Sequence, residues 1–369
     1  MKITILQQDL LPALQAVSRS VGAKNLPVLA NVLLQAEGKK LKLSATNLEL
    51  GVIKEVGVEV LVEGSLTVPA RTFLEVVQPL SGEKLELEGI GDHLKISTKN
   101  FTASLNGISA SEFPQIPLSS EQSITIDAKL LHTSLPEITF AAASDEGRPV
   151  LTGILTEIKK DSLELVATDG FRLAHKTAQI EATNGTNFRS LIPRKTFEEV
   201  LRLIGEDAMG EEKVEISTSE NQNQMVFKIG STLVSSRLIE GQFPTWEKIV
   251  PTQFVSKVIV DRSELIRAVK LSAVFARSEA NIVKIETTKD KLKFTSEAKQ
   301  IGEQETDIEA KIEGEEVIIA FNSKYLLDAL NACPAEQVSI EFSGNLSPAL
   351  IKPIGEKDLE YVVMPIRLS

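Results

Sequence analysis

A single cysteine, Cys333, stands among 369 residues, so no intrachain disulfide can form and a cysteine-built zinc site is excluded. Such thiol usage suits a reducing cytoplasm. Histidine is almost as scarce: His93, His132 and His175 are scattered, and none has a histidine or cysteine at ligand spacing. No run of about eighteen apolar residues reads as a membrane span. The stretch from Met1 to Asp9 lacks the apolar core and small-residue cleavage site of a signal peptide. Walker, Gly-x-Gly-x-x-Gly and Gly-x-Ser-x-Gly motifs are all missing, which removes the commonest nucleotide-binding and hydrolase chemistries. Neither a cofactor nor a metal is expected. Positive charge is also in deficit, with a net charge of −11. An open-surface nucleic-acid binder gains its affinity by neutralising phosphates, so this balance argues against one. It leaves room for a protein that keeps DNA by enclosing it.

What the chain does have is a repeat. Val68-Pro-Ala-Arg-Thr-Phe73, Ile192-Pro-Arg-Lys-Thr-Phe197 and Phe321-Asn-Ser-Lys-Tyr-Leu326 each open a helical pattern, and the last members lie 124 and 129 residues apart. From each anchor apolar residues recur at i, i+3, i+4 and i+7: Phe73, Val76, Val77, Leu80; Phe197, Val200, Leu201, Ile204; Leu326, Ala329, Leu330, Cys333. That spacing is one buried helix face. A second helix precedes each block, after the strand-like Ile3-Thr-Ile5, Ile124-Thr-Ile126 and Val258-Ile-Val260. Its faces are Leu10, Ala13, Leu14, Val17; Leu131, Ser134, Leu135, Ile138; and Leu265, Ala268, Val269, Ser272. Short alternating runs such as Leu41-Lys-Leu43, Leu85-Glu-Leu87 and Val338-Ser-Ile-Glu-Phe342 fill the remainder, and strands with one wet face mean antiparallel sheet. Glu112-Phe-Pro114, Gln242-Phe-Pro244 and Met364-Pro-Ile366 close the three copies. The expected fold is therefore α+β, three tandem two-helix, antiparallel-sheet domains at residues 1–121, 122–252 and 253–369.

Charge follows the repeat. Arg71, Lys195 and Lys324 each sit two positions before the anchor, opposite the buried face at 100° per residue. Arg19, Arg267, Lys270 and Arg277 also project away from their helix cores. Exposed cations on helices are usually just solvated. Glu75, Glu198, Glu199 and Asp328 share these helices, so the positive face is mild.

Val166-Ala-Thr-Asp-Gly-Phe-Arg-Leu-Ala-His-Lys176 is a strand, a polar turn and a second strand, with Asp169-Gly170 as the hairpin signal. Taken alone it is a plain hairpin. Asp169, Arg172 and His175 are close enough in sequence to suggest an acid–base site, but on an ideal strand His175 points away from Arg172, and the expectation is no catalysis. The nearly continuous apolar end from Val362 to Leu368 reads as a final buried strand or as an exposed docking element.

Ala167-Thr-Asp-Gly-Phe-Arg-Leu-Ala174 and Tyr361-Val-Val-Met-Pro-Ile-Arg-Leu368, with Val68-Pro-Ala-Arg71 and Ile192-Pro-Arg-Lys195, resemble the bacterial DNA polymerase III beta subunit family, the sliding clamps. The likeness runs over the whole chain. It implies the DNA clamp fold, with helices lining the hole of a ring made by a homodimer around duplex DNA, and a processivity role in DNA replication. It implies contact without sequence preference through Arg19, Lys24, Arg71, Arg148, Lys195, Arg202, Arg267, Lys270 and Lys324. It further implies a groove for linear motifs of the DNA polymerase III alpha subunit, the clamp loader, other polymerases and repair proteins. Carried over by motif, the groove is Thr168, Gly170, Phe171, Arg172, Leu173, Pro244, Lys248, Ile249, Asn322, Tyr325, Met364, Pro365, Ile366, Arg367 and Leu368. Phe171 and Lys248 stand at positions where the family varies, and both could shift peptide preference. For the dimer interface the candidates are Val274 and Phe275 against Phe101 and Leu105. The rival class is a peptide-binding scaffold with no topological hold on DNA.

Overall fold

Alternating stretches become strands and 3.6-period stretches become helices in a computed structural model that describes residues 1–22, 26–117, 123–182, 187–207, 213–219, 223–278 and 280–367. Among the described residues there are six α-helices, two in each third: α1 (Gln7–Ser18), α2 (Ala70–Val77), α3 (Ala128–Thr139), α4 (Arg194–Asp207), α5 (Arg262–Ala276) and α6 (Ser323–Ala332). Each starts directly at the end of a strand; Lys2–Leu6 leads into α1 and Ile318–Asn322 into α6. The Asp261 carboxylate caps α5, accepting from the backbone N–H of Ser263 at 2.9 Å and of Glu264 at 3.0 Å. The Ser263 hydroxyl bonds the same oxygen, and these donors hold the Asp261 carboxyl below its ordinary pKa.

The faces expected from spacing are the buried ones, with two adjustments. Leu10, Ala13, Leu14 and Val17 of α1, Leu131, Ser134, Leu135 and Ile138 of α3, and Leu265, Ala268, Val269 and Ser272 of α5 are all buried. α2 ends at Val77, so Leu80 falls outside it, and Val76 is only half-buried. On α4 Leu203 is buried along with Phe197, Val200 and Ile204, whereas Leu201 is half-buried. The apolar face of α4 is therefore rotated slightly from the one its first turn suggests.

Among the described residues every strand pairing is antiparallel, in four sheets. A five-stranded sheet built from the first third ends in Thr102–Asn106, and a four-stranded sheet built from the last third ends in Gly302–Glu309. The two larger sheets, of eight and nine strands, cross the sequence repeats. In one, Leu50–Gly57 pairs with Thr232–Arg237 of the middle third. In the other, Arg172–Gln179 of the middle third pairs with Leu359–Val363 of the last.

The compact units consequently differ from the repeats. One unit comprises Met1–Ala128 with Glu199–Leu238, the other Lys129–Glu198 with Ile239–Ser369. In the first, α1 packs on α2 and on the strands Lys40–Thr46 and Leu50–Gly57. In the second, α5 packs on α6 and on Lys291–Ala298 and Gly302–Glu309. Hydrogen-bonded ladders from the middle third continue those of its neighbours, so a repeat in sequence is not an isolated core.

Candidate functional site

The Thr168–Leu173 hairpin, the strand Leu359–Val363 and the tail after it lie in the second compact unit. Thr168 pairs directly with Leu173, so the turn spans four residues rather than the two of an Asp-Gly hairpin. Its geometry is set by side chains. Asp169 Oδ1 accepts from the N–H of Phe171 at 2.8 Å and of Arg172 at 3.0 Å, while Thr168 Oγ1 accepts from Gly170 N–H at 3.0 Å and donates to the Arg172 carbonyl at 2.6 Å. Gly170 takes φ 88°, where a side chain would be strained and its Cβ would meet the Arg148 guanidinium at 3.1 Å.

Arg172 secures this turn to the helices behind it. Its Nε donates to Asp169 Oδ2 at 3.1 Å, its Nη1 donates to Asp328 on α6, and its guanidinium lies 4.9 Å from the Tyr325 ring centroid and 5.3 Å from that of Phe140. Two edges of the fork are held by carboxylates, and two aromatic rings lie within cation–π reach of it. Burial of Tyr325, reinforced by the Asp169 charge, raises its pKa above the ordinary tyrosine value. Phe171 stacks on Tyr325 with centroids 6.0 Å apart and is itself 52% exposed. The turn therefore presents an aromatic surface on a fixed base.

Beside the turn lies an apolar floor. Leu155, Val166, Leu173, Leu191, Trp246, Leu350 and Val362 form one buried cluster, against which Val150, Ile239, Phe243, Ile249 and Val250 pack half-buried. The alternation of the strands puts Leu173 on this face, and the register sets it next to Val362. The tail runs along the edge: Met364 N–H donates to the Phe171 carbonyl at 2.9 Å, and Ile366 N–H to the Ala320 carbonyl at 2.7 Å. Met364, Pro365 and Ile366 stay half-buried, and Arg367 is exposed. The apolar end is thus divided, with Val362 and Val363 in the core and the next three residues forming a rim.

Of the expected groove residues, Thr168, Gly170, Phe171, Arg172, Leu173, Ile249, Tyr325, Met364, Pro365 and Ile366 belong to this turn, floor and rim. Pro244 and Lys248 are exposed on the segment that carries Trp246. Asn322 caps α6 through its side chain, which accepts from Lys324 N–H at 2.9 Å. Leu368 lies outside the described residues. Trp246 was readable only as the single tryptophan; its place in the floor depends on the segment Ile239–Val250 folding back on the sheet.

His175 is not joined to Asp169 and Arg172. Its Nδ1 lies 3.0 Å from Glu360 Oε1 and its Nε2 3.1 Å from Glu164 Oε1, with the Trp246 ring 4.3 Å from its own. Arg172 and Lys176, the latter paired with Glu137, point the other way. Arg172 and His175 occupy opposite faces of one strand, and Asp169 stands in the turn before it.

The charged helix faces are weaker than the spacing suggests. Arg71 pairs with Glu75 at 2.9 Å, Arg267 with Glu264, and Lys195 lies 3.7 Å from Glu146. Arg19, Arg148, Lys270 and Lys324 are exposed. Arg202 corrects the expectation: its side chain is largely buried, paired with Glu199 and donating to the Ala16 carbonyl at 3.2 Å. A guanidinium so engaged is a packing element and is not presented to a phosphate. Lys24 lies outside the described residues.

At the expected interface, Phe101 is exposed beside the edge strand Thr102–Asn106, and Leu105 is half-buried. On α5, Val274 is 50% exposed, Phe275 is half-buried, and Leu271, three residues before Val274, is 47% exposed. Leu271 was missed because it reads as one more apolar residue near the core face; the i, i+3 pairing with Val274 was the available signal.

Three tandem two-helix domains with antiparallel sheets define the class of protein with the DNA clamp fold. Family models of the DNA polymerase III beta subunit match residues 1–117 (N-terminal domain), 125–245 (central domain) and 247–367 (C-terminal domain). The chain belongs to the DNA polymerase III beta subunit family, the sliding clamps that give DNA replication its processivity. It is 33% identical to the beta sliding clamp of Synechococcus elongatus over 376 residues, covering 100% of both chains. It superposes on the DNA polymerase sliding clamp of Bacillus subtilis with a TM-score of 0.95 at 27% identity, and on a Pseudomonas aeruginosa sliding clamp bound to griselimycin with 0.93 at 29%, covering 100% of each chain.

Proposed function

We propose that two copies of this chain close head to tail into a ring around duplex DNA, and that the Leu173–Trp246–Val362 floor with its Met364–Ile366 rim docks linear peptides. The observation that carries the peptide reading is the divided tail: its strand is buried, while the next three residues are held half-open beside an apolar floor by two backbone hydrogen bonds. Methionine and proline suit a rim that must adapt to different side chains. The P. aeruginosa clamp that binds griselimycin supports a ligand-taking surface on this fold.

Motifs from the DNA polymerase III alpha subunit, the clamp loader and other polymerases or repair proteins are the occupants. Phe171 and Lys248, both exposed, tune which of them bind best. Ring closure joins the exposed pair Leu271 and Val274 on α5 with Phe101 and Leu105 of the partner copy, a heterologous contact that closes after two copies. Sheet edges at Thr102–Asn106 and Gly302–Glu309 offer unpaired backbone for the same junction. The repeat boundaries lie near residues 121 and 252; the family models support the first, with a break between 117 and 125, and put the second nearer 246. DNA passes along Arg19, Arg71, Arg148, Lys195, Arg267, Lys270 and Lys324, held by enclosure and by weak phosphate contacts. The protein has no reaction of its own and works in the cytoplasm, where the replicated DNA is. After assembly by a clamp loader it should remain on a nicked circle and leave once that circle is cut. Equal retention on circular and linear DNA would instead favour a peptide scaffold.

A further inference from the structure

The first compact unit contains a counterpart of the peptide groove, and its chemistry differs in a definite direction. Strand register fixes the correspondence. Thr46 pairs with Gly51 as Thr168 pairs with Leu173, and Gly51 pairs with Ser235 as Leu173 pairs with Val362. Leu33 pairs with Ser44 as Leu155 pairs with Val166. The closing motif continues the match, since Glu112-Phe-Pro-Gln-Ile116 stands where Gln242-Phe-Pro-Thr-Trp246 stands. Ile116 therefore takes the place of Trp246, and it lies over Gly51, where a Cβ would come within 2.8 Å of its Cγ2.

Above this face is a cavity of about 800 Å³ whose walls include Leu33, Lys42, Ile53, Phe113 and Ile116. Leu33 and Phe113 form its buried apolar side, backed by Val28 and with Ile116 packed on them. Three floor positions that are apolar in the second unit are small or polar here: Ser44 for Val166, Gly51 for Leu173 and Ser235 for Val362. The charge is also reversed. Lys42 occupies the place of Glu164 and Ile53 that of His175, and Lys42 has no ion pair among the described residues. Among the described residues no carboxylate lines the cavity, although the whole chain carries a net charge of −11.

We propose that this cavity is a second docking site, and that its occupant is an extended acidic segment of a partner protein. One apolar side chain of that segment packs on Leu33, Phe113 and Ile116, and a neighbouring carboxylate faces Lys42. The reading rests on the correspondence with the proposed groove, but the two sites carry separate reporters. Methyl NMR on the full chain, titrated with acetyl-Asp-Leu-Asp-Leu-amide, should move Ile53 and Ile116 saturably, whereas Ile249 and Ile366 report the other groove. An exposed ion pair contributes enough for Lys42→Glu to weaken the Ile53 and Ile116 response about fivefold. The same variant should take acetyl-Lys-Leu-Lys-Leu-amide better than the wild type does. Unchanged resonances elsewhere verify its fold. The proposal is overturned if neither methyl moves up to about 10 mM probe, a range far beyond weak peptide affinity, or if Lys42→Glu leaves the response as it was. It is equally overturned if both methyls shift with protein concentration alone, which would assign the face to a second copy. Silence at Ile249 and Ile366 with movement at Ile53 and Ile116 would refute the second-unit groove only.

Discussion

Replacing Arg172 by alanine distinguishes a side chain that holds the hairpin from one that holds the ligand. The guanidinium is largely buried and is shared between Asp169, also largely buried, and Asp328, which is about one-third exposed. Its loss leaves two carboxylates facing a space between Tyr325 and Phe140 with no cation. Breaking a fully buried pair from one side costs about 3–5 kcal/mol, and the exposure of Asp328 reduces this to about 3 kcal/mol. Chemical denaturation of the second unit should show that loss. Asp328→Asn in the Arg172→Ala background should restore about 1 kcal/mol by removing one orphaned charge. Arg172→Lys should rescue little, because a single ammonium lacks the planar fork that reaches Asp169 and Asp328 while staying within reach of both rings. Peptide affinity should fall only as far as the turn loosens. A stability loss under about 1 kcal/mol, together with a tenfold loss of peptide affinity, would refute this assignment and make Arg172 a ligand contact.

Deleting Met364–Ser369 removes one wall of the groove and should weaken a polymerase-derived peptide at least about tenfold, since one buried apolar side chain contributes about 1.5–3 kcal/mol, while sedimentation still shows a dimer. Met364→Ala alone should be milder. Val274→Asp or Leu271→Asp should convert the dimer to monomer by placing a charge in an apolar contact, and an unaffected sedimentation coefficient for both would count against the interface. Binding to short linear duplex should be weak and fade between about 50 and 200 mM salt, because few phosphates are neutralised. Alkaline unfolding should respond to Tyr361, whose pKa burial pushes far above the ordinary tyrosine value. A raised folded pKa favours the protonated form, so its contribution is intact below about pH 10 and is lost as pH rises further. Tyr361→Phe should be near neutral at pH 7 and gain about 1.4 kcal/mol relative to wild type for each unit above pH 10; parallel curves at pH 11 would contradict this.

Local structure and its threefold recurrence follow from the spacing of residues along the chain. Leu10, Leu14 and Val17, or Leu265 and Val269, can be buried together only on one helix face, and their spacing is a property of the chain. Strand alternation likewise fixed that Leu173 and His175 share one side of their strand while Arg172 shares the other with Lys176. Local spacing is silent about which strands meet. The pairing of Arg172–Gln179 with Leu359–Val363 brings together residues nearly two hundred positions apart, and only that ladder sets the tail beside the hairpin. Whether the apolar end was a core strand or a rim therefore had no local answer: Val362 and Val363 pair within a sheet, and the backbone of Met364 and Ile366 is held by Phe171 and Ala320. Arg202 shows the same limit from the charge side. Helical projection cannot reveal that Glu199 and the Ala16 carbonyl converge on it, because one of those partners comes from another helix entirely. Periodicity specifies which way a side chain points, and tertiary packing decides what it meets there.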